Sequence, residues 1–274
     1  MLPTLFLSHG SPMIALQDSP ARRFLLELGT RLPRPKAIVV ASAHFETPMP
    51  VVVSDPAPEM IYDFGNFDPR LFEIVYPAPG APDLAMTVAQ RLQAAGLSPR
   101  VAPKRGYDHG TWILLALMYP DADIPVVQVS IQPNADPAHH LAVGRALAGL
   151  AAEDVLVIGS GSLTHNLGEV FDRRRGGMRP LEGPIEGWAT GFAEWFADKI
   201  AANDVVALTD YRRQAPEAVR NHPHDDHLLP LYVALGAAGE GARPERVHTS
   251  GQHGSLMMDA YAWWPKAEPS RAAA

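Results

Sequence analysis

The chain has 274 residues and no cysteine, which excludes a disulfide framework, a thiolate nucleophile, an iron–sulfur cluster and a Cys-ligated zinc. Its 23 Lys and Arg against 30 Asp and Glu give a formal charge of -7, a field that a polyanion would have to bind against, so nucleic acid is not an expected partner. The composition, 47% hydrophobic and 19% charged, is globular; no apolar run approaches the roughly 20 residues of a membrane helix, and the first residues lack the basic region of a signal peptide, so a soluble, cytoplasmic protein is expected.

Short β-branched apolar runs alternate with helical stretches along the whole length. In chain order the pattern predicts a strand over 4–7, a helix over 20–32, strands over 37–41 and 51–53, helices over 83–95 and 111–119, and a strand over 126–131. A helix over 137–152, a strand over 155–158 and helices over 184–201 and 228–235 follow. Several strands lack polar alternation, which implies burial on both faces. The expectation is an α/β fold: a single domain over 1–265 with a largely parallel central sheet flanked by helices on both faces, and a flexible tail over 266–274. The 27 Pro and 22 Gly are spread throughout and mark loops rather than a domain boundary.

In open α/β sheets ligands sit beyond the carboxyl ends of the strands. There the first strand runs into Ser8-His9-Gly10-Ser11-Pro12, the second into Ser42-Ala43-His44, and the one near 158 into Gly159-Ser160-Gly161-Ser162-Leu163-Thr164-His165. His109, in Asp108-His109-Gly110-Thr111-Trp112, precedes a predicted helix, as does the cluster Asn221-His222-Pro223-His224-Asp225-Asp226-His227. Any one of these suits a hydrogen-bonding loop residue, and Asp225 alone would suit a helix cap. Jointly, histidines at the strand ends of one sheet can converge on one point, and neutral imidazole suits zinc, iron or copper.

Other motifs carry less. Gly159-Ser160-Gly161-Ser162 does not satisfy G-x-S-x-G, and neither G-x-G-x-x-G nor a P-loop occurs. Arg173-Arg174-Arg175 reads as a solvated loop. Trp188 and Trp195, seven apart, share a helix face suited to core or interface. The aromatic stretch Tyr62-Asp63-Phe64-Gly65-Asn66-Phe67 walls a pocket or packs under a loop.

Taken in order, these motifs, together with Tyr76-Pro77-Ala78-Pro79-Gly80, Asp226-His227-Leu228-Leu229-Pro230-Leu231 and Gly254-Ser255-Leu256-Met257-Met258-Asp259-Ala260-Tyr261, resemble the DOPA-dioxygenase-like branch of the class III (LigB-type) extradiol ring-cleavage dioxygenases. The resemblance spans nearly the whole chain. It implies one non-haem divalent metal, normally Fe(II), with Zn(II) also associated with this branch. His9 and His44 match two metal ligands and His227 the third. His165 matches the acid/base catalyst and His109 another active-site histidine that contacts substrate or oxygen. His222 is a further candidate beside the metal, and Tyr62 and Phe64 would close over the substrate ring.

One departure stands out, because the better-known LigB branch has a glutamate as third ligand, completing the two-histidine, one-carboxylate triad. Here the matching position is His227, preceded by Asp225 and Asp226, either of which could be ligand or hydrogen-bond acceptor. An all-histidine set is closer to that of zinc enzymes.

The resemblance implies that a small aromatic diol and O2 are the partners and that both oxygen atoms enter the ring to give a ring-opened semialdehyde. His165 would take the phenolic proton and later return one, with His109 stabilising charge on oxygen. A zinc-dependent hydrolase or a non-catalytic metal-binding protein on the same scaffold are the alternatives. No membrane partner is expected, and a homo-oligomer stays open. His139, His140, His224, His248 and His253 carry no expected role.

Overall fold

The apolar runs read as strands all pair into one sheet. A computed structural model describes residues 1–172 and 176–266. Its strands are β1 (Thr4–Ser8), β2 (Ala37–Glu46), β3 (Val51–Val53), β4 (Arg100–Ala102), β5 (Val126–Ile131), β6 (Val155–Gly161), β7 (Phe171–Asp172), β8 (Gly177–Met178), β9 (Arg243–His248), β10 (Gly251–Gln252), β11 (Leu256–Met257) and β12 (Ala260–Trp264). Its helices are α1 (Pro20–Arg31), α2 (Pro82–Ala94), α3 (His109–Met118), α4 (Pro137–Ala146), α5 (Leu167–Val170), α6 (Gly187–Ala201), α7 (Val205–Thr209), α8 (Tyr211–Gln214), α9 (Ala218–Asn221) and α10 (Leu229–Ala237).

The main sheet has the order β4-β3-β5-β2-β6-β1-β12-β9. Its centre, β5-β2-β6-β1, is parallel, while β12 and β9 add antiparallel strands beside β1. Successive side chains of a strand point to opposite faces. Ile38 and Val40 of β2 accordingly enter one core with α1 and α3, while Val39 and Ala41 enter another with α2 and α4. A third cluster joins α6 and α10 to Phe6 and the aromatic end of β12, and Trp188 and Trp195 pack against it. Both faces are thus covered, as the missing polar alternation implied.

Local chemistry sets the helix ends. Ser19, Asp108 and Asp136 cap α1, α3 and α4 through their side chains, with proline opening the first and third. The helix expected over 137–152 stops at Ala146; Gly149 follows at φ 89° and opens a separate 3-10 turn, Leu150–Glu153. The helix expected from 184 begins at Gly187. Strand β2 runs on to Glu46, so His44 lies within it instead of after it. The arginine run at 173–175 and residues 267–274 of the expected tail lie outside the described residues. Among the described residues no helix is long and apolar enough to cross a membrane.

Two glycines of β6 let α10 settle on the sheet. A Cβ at Gly159 would stand 2.1 Å from the Pro230 carbonyl oxygen, and one at Gly161 2.1 Å from that of His227. Only glycine admits such a backbone approach. It is this contact that brings His227 to the end of the sheet.

Candidate metal centre

The carboxyl ends of β1, β2 and β6 gather five imidazoles. His9 follows β1 and donates its backbone N–H to Gly161 at 2.9 Å. His44 is carried by β2, and His109 opens α3. His165 donates its backbone N–H to Asn221, and Ser162 N–H donates to the carbonyl of His227 at 2.8 Å. The ring centroids of His9, His44 and His227 form a nearly equilateral triangle with sides of 5.0, 5.3 and 4.9 Å. His109 lies 3.9 Å from His44 and 5.4 Å from His9. His165 stacks on His227 at 3.5 Å with the planes 11° apart.

Hydrogen bonds fix which nitrogen is free in three of the rings, His9, His227 and His109. Ser160 gives its hydroxyl hydrogen to the Gly110 carbonyl at 2.5 Å, so it can only accept from His9 Nδ1, 2.9 Å away. The Asp226 carboxylate accepts from His227 Nδ1 at 2.6 Å. Asp63 accepts from both Nδ1 and the backbone N–H of His109, each at 2.9 Å, and its other oxygen lies 3.6 Å from His44 Nδ1. In His9, His227 and His109 the Nε2 is left with its lone pair, and the Nε2 atoms of His9 and His44 face each other at 3.1 Å. Carboxylate or hydroxyl partners on the outer nitrogen are the usual support of metal-binding histidines.

Behind these rings a buried network holds the strand ends in place. Asp108 accepts from Ser42 at 2.7 Å and from Arg105 at 2.9 Å, and Arg105 also donates to the His44 carbonyl at 3.2 Å.

Burial, reinforced by the neighbouring imidazoles, pushes His9 and His227 well below the ordinary histidine value. Burial followed by His109 takes His44 down to about 4. Burial also lowers His165, against the opposing pull of Asp226. Asp63 is raised by burial, but the hydrogen bonds from His109 outweigh this and hold it at about 2. The result is a set of neutral imidazoles ringed by ionised carboxylate, which suits a divalent cation.

The donors gathered here could hold a metal ion. With metal–nitrogen bonds of about 2.0–2.1 Å, imidazoles on one face of an ion hold their centroids roughly 5 Å apart, as in the triangle of His9, His44 and His227. The same ring ends also fall into tighter groups, with candidate ligand atoms within 4.8 Å of one another: His9, His44 and His109, and His165, Asp226 and His227. Asp226 Oδ1 is buried without a hydrogen-bond partner among the described residues.

These rings open on a cavity of about 450 Å³ with a largely apolar outer wall that includes Phe64, Phe67, Leu167, Phe171 and Leu256. Phe64, expected to cover a ring, lines it. Tyr62 does not; it packs behind Phe64 with a centroid distance of 6.2 Å and donates its hydroxyl to the Ile74 carbonyl. His222 also stays outside the cavity, wholly buried, with Nε2 donating to Leu163 O at 2.8 Å; burial takes it down to about 3. Asp225 is held by Tyr211 and Arg212, and α10 has no side-chain cap.

Asp63, Ser160 and the Asp108–Arg105 pair were not legible as functional residues. For Asp63 one signal existed, a lone carboxylate in an aromatic loop. Ser160 carried none beyond its place at a strand end.

With this geometry in view, comparison with known proteins is specific. Residues 3–260 match the family model described as the catalytic LigB subunit of aromatic ring-opening dioxygenase. A 4,5-DOPA dioxygenase extradiol of Beta vulgaris is 40% identical over 262 residues, covering 94% of this chain and 95% of that one. Its namesake in Escherichia coli strain K12 is 39% identical over 263 residues, covering 94% and 93%. The crystal structure of an uncharacterized protein, JW3007, from Escherichia coli K12 superposes with a TM-score of 0.79 at 34% identity, over 96% of this chain and 100% of the other. From sequence, fold and the converging histidines alike, the chain belongs to the LigB family of metal-dependent, aromatic ring-opening extradiol dioxygenases.

Proposed function

We propose that this enzyme opens a catechol carrying an amino-acid side chain of the DOPA type, with His9, His44 and His227 holding one Fe(II). The near-equilateral triangle of these three rings, facing a cavity wide enough for an aromatic ring, carries the reading. At 3.9 Å from His44, His109 crowds too closely to share the ion as a fourth imidazole of the same kind, which leaves it for substrate. Fe(II) held by these residues would supply an electron path between the diol and dioxygen.

The chain's own groups supply proton transfer, orientation and shelter from water. His165 is neutral because burial lowers it, so its ring can take a phenolic proton as the diol enters and return it as the ring opens. Stacking on His227 holds its plane. His109, backed by the ionised Asp63, can carry a proton and offer it to an oxygen that gains negative charge. Phe64 and Phe67 cover the ring and exclude water.

Anaerobic loading with Fe(II), then exposure to O2 with DOPA and simple catechols, tests the reading. Stoichiometric oxygen uptake with a coloured ring-fission product is expected. Zinc-dependent ester or amide cleavage without oxygen uptake would overturn it.

A further inference from the structure

One imidazole lines the cavity without joining the converging set. His253 sits at the turn between β10 and β11, with φ 51°, and Gly254 follows at φ 76°. Ser255 N–H closes the turn on the Gln252 carbonyl at 3.2 Å. Two central residues with positive φ make a hairpin in which Asn-Gly or Gly-Gly is the ordinary choice. Histidine tolerates this region better than most residues, but its ring brings nothing to the turn itself.

That ring is clamped in one tautomer. The backbone N–H of His253 donates to Leu181 O at 3.1 Å, and Nδ1 donates to Arg179 O at 2.8 Å. A carbonyl only accepts, so Nδ1 carries the hydrogen and Nε2 offers a lone pair. Among the described residues nothing donates to that lone pair, and the neighbouring wall is apolar, with Leu167, Val170, Phe171, Met178 and Leu256.

We propose that His253 is a specificity-determining residue whose Nε2 accepts a hydrogen bond from an N–H or O–H group on the tail of the substrate. It selects catechols whose side chain carries an ammonium or hydroxyl over those with a plain alkyl tail. The inference rests on the ring-opening reading of the same cavity. Discrimination is strong at such a point, because a tail without a donor leaves a desolvated acceptor unpaired.

The test compares three catechols that share a two-carbon tail, ending in an amine, a hydroxyl or hydrogen: 3,4-dihydroxyphenylethylamine, 4-(2-hydroxyethyl)catechol and 4-ethylcatechol. Their dissociation constants are measured anaerobically on the metal-loaded wild type and on His253→Asn. Asparagine keeps an N–H donor where Nδ1 stood and suits the positive φ, so the clamp and turn survive while the Nε2 acceptor is lost. His253→Gly, the turn's other ordinary residue, guards against a folding failure of the first variant. Wild type is expected to favour at least one donor-bearing tail over 4-ethylcatechol by about tenfold, the scale of one hydrogen bond to a polar or charged group. In both variants that ratio falls to within twofold of unity, and the amine and the alcohol show separately which donor is read. A wild-type ratio near one, a ratio unmoved by the substitutions, or an equal loss for all three compounds would overturn the proposal, the last by revealing a purely structural clamp. Oxygen uptake by wild type on the same compounds is scored apart from binding, so failure of the ring-opening reading is seen independently.

Discussion

Ser160 stands 2.9 Å from His9 Nδ1 while giving its only hydrogen to the Gly110 carbonyl. That hydroxyl therefore sets the His9 tautomer and leaves Nε2 bare toward the centre. Ser160→Ala removes the acceptor and lets the proton move to Nε2, where it blocks ligation. Metal affinity should fall about 10- to 100-fold, the usual cost of losing such a support, as read by titration against a competing chelator. Unchanged affinity would mean that packing alone orients His9.

His165 and His227 differ in expected role although their rings stack. Replacing His165 with Gln should lower kcat by about 100- to 10,000-fold, the range of a lost general acid or base. The bound metal, counted by elemental analysis, should stay near the wild-type ratio. Loss of metal in step with loss of rate would make His165 a ligand instead.

Much of this was legible because the signals were local. Uninterrupted apolar runs such as 155–158 announced buried parallel strands, and His9 and His165 stood just past such strands, with His44 close to the end of another. What escaped depends on distant pairing. Strand β9 carries a proline and charges in a half-exposed sequence, and it exists because β12 offers it a register, Ala262 against Glu245 among other pairs. Asp63 escaped for the same reason: its partners His44 and His109 lie on other elements. Tyr62 and Phe64, two apart in one loop, looked equivalent, but only Phe64 faces the cavity while Tyr62 is drawn back by Ile74.

Asp63 stands between two imidazoles, 2.9 Å from His109 Nδ1 and 3.6 Å from His44 Nδ1, the first proposed to face substrate and the second to hold the metal. Asp63→Asn keeps the shape and one acceptor but removes the negative charge that backs His109. We expect kcat to drop at least about tenfold, since charge-assisted hydrogen bonds are roughly twice as strong as neutral ones, with metal content retained and the melting temperature little changed. Steady-state oxygen uptake checks this; full activity would restrict Asp63 to a packing role.

His140, remote from the imidazole cluster, makes a pH prediction. Its Nδ1 donates to Asp136 O at 2.9 Å and its Nε2 accepts from Gln132 N–H at 3.0 Å. Protonation would set two N–H groups against each other, and burial, the largest cause, holds the group at about 4 against its ordinary 6.5. Between those values the unfolded chain binds the proton and the folded chain does not, so stability rises with pH from about 4 to 6.5 and is flat above. The contribution is on the order of 3 kcal/mol across the window. Denaturant unfolding of the metal-loaded protein at several pH values should show a slope to which His140 and the buried His222 both contribute, and His140→Gln should make it shallower by the His140 share. An equal slope in the variant would assign the acid sensitivity elsewhere.

Gly161 decides whether α10 can deliver His227. A Cβ there would stand 2.1 Å from the His227 carbonyl oxygen, a backbone atom that cannot swing aside. Gly161→Ala should cost at least about 1–3 kcal/mol, as overpacking does, and should weaken metal binding in the fraction that folds, because the displaced segment carries a proposed ligand. Gly191 provides the contrast, since it lies exposed within α6 and a Cβ would meet nothing within 4 Å. Gly191→Ala should stabilise by about 0.5–1 kcal/mol through helix propensity alone, with metal affinity unmoved. Paired thermal melts and chelator titrations measure both variants. If Gly161→Ala lost stability yet bound metal as tightly as wild type, His227 would not be held to the centre by its backbone, and its place among the ligands would fail with it.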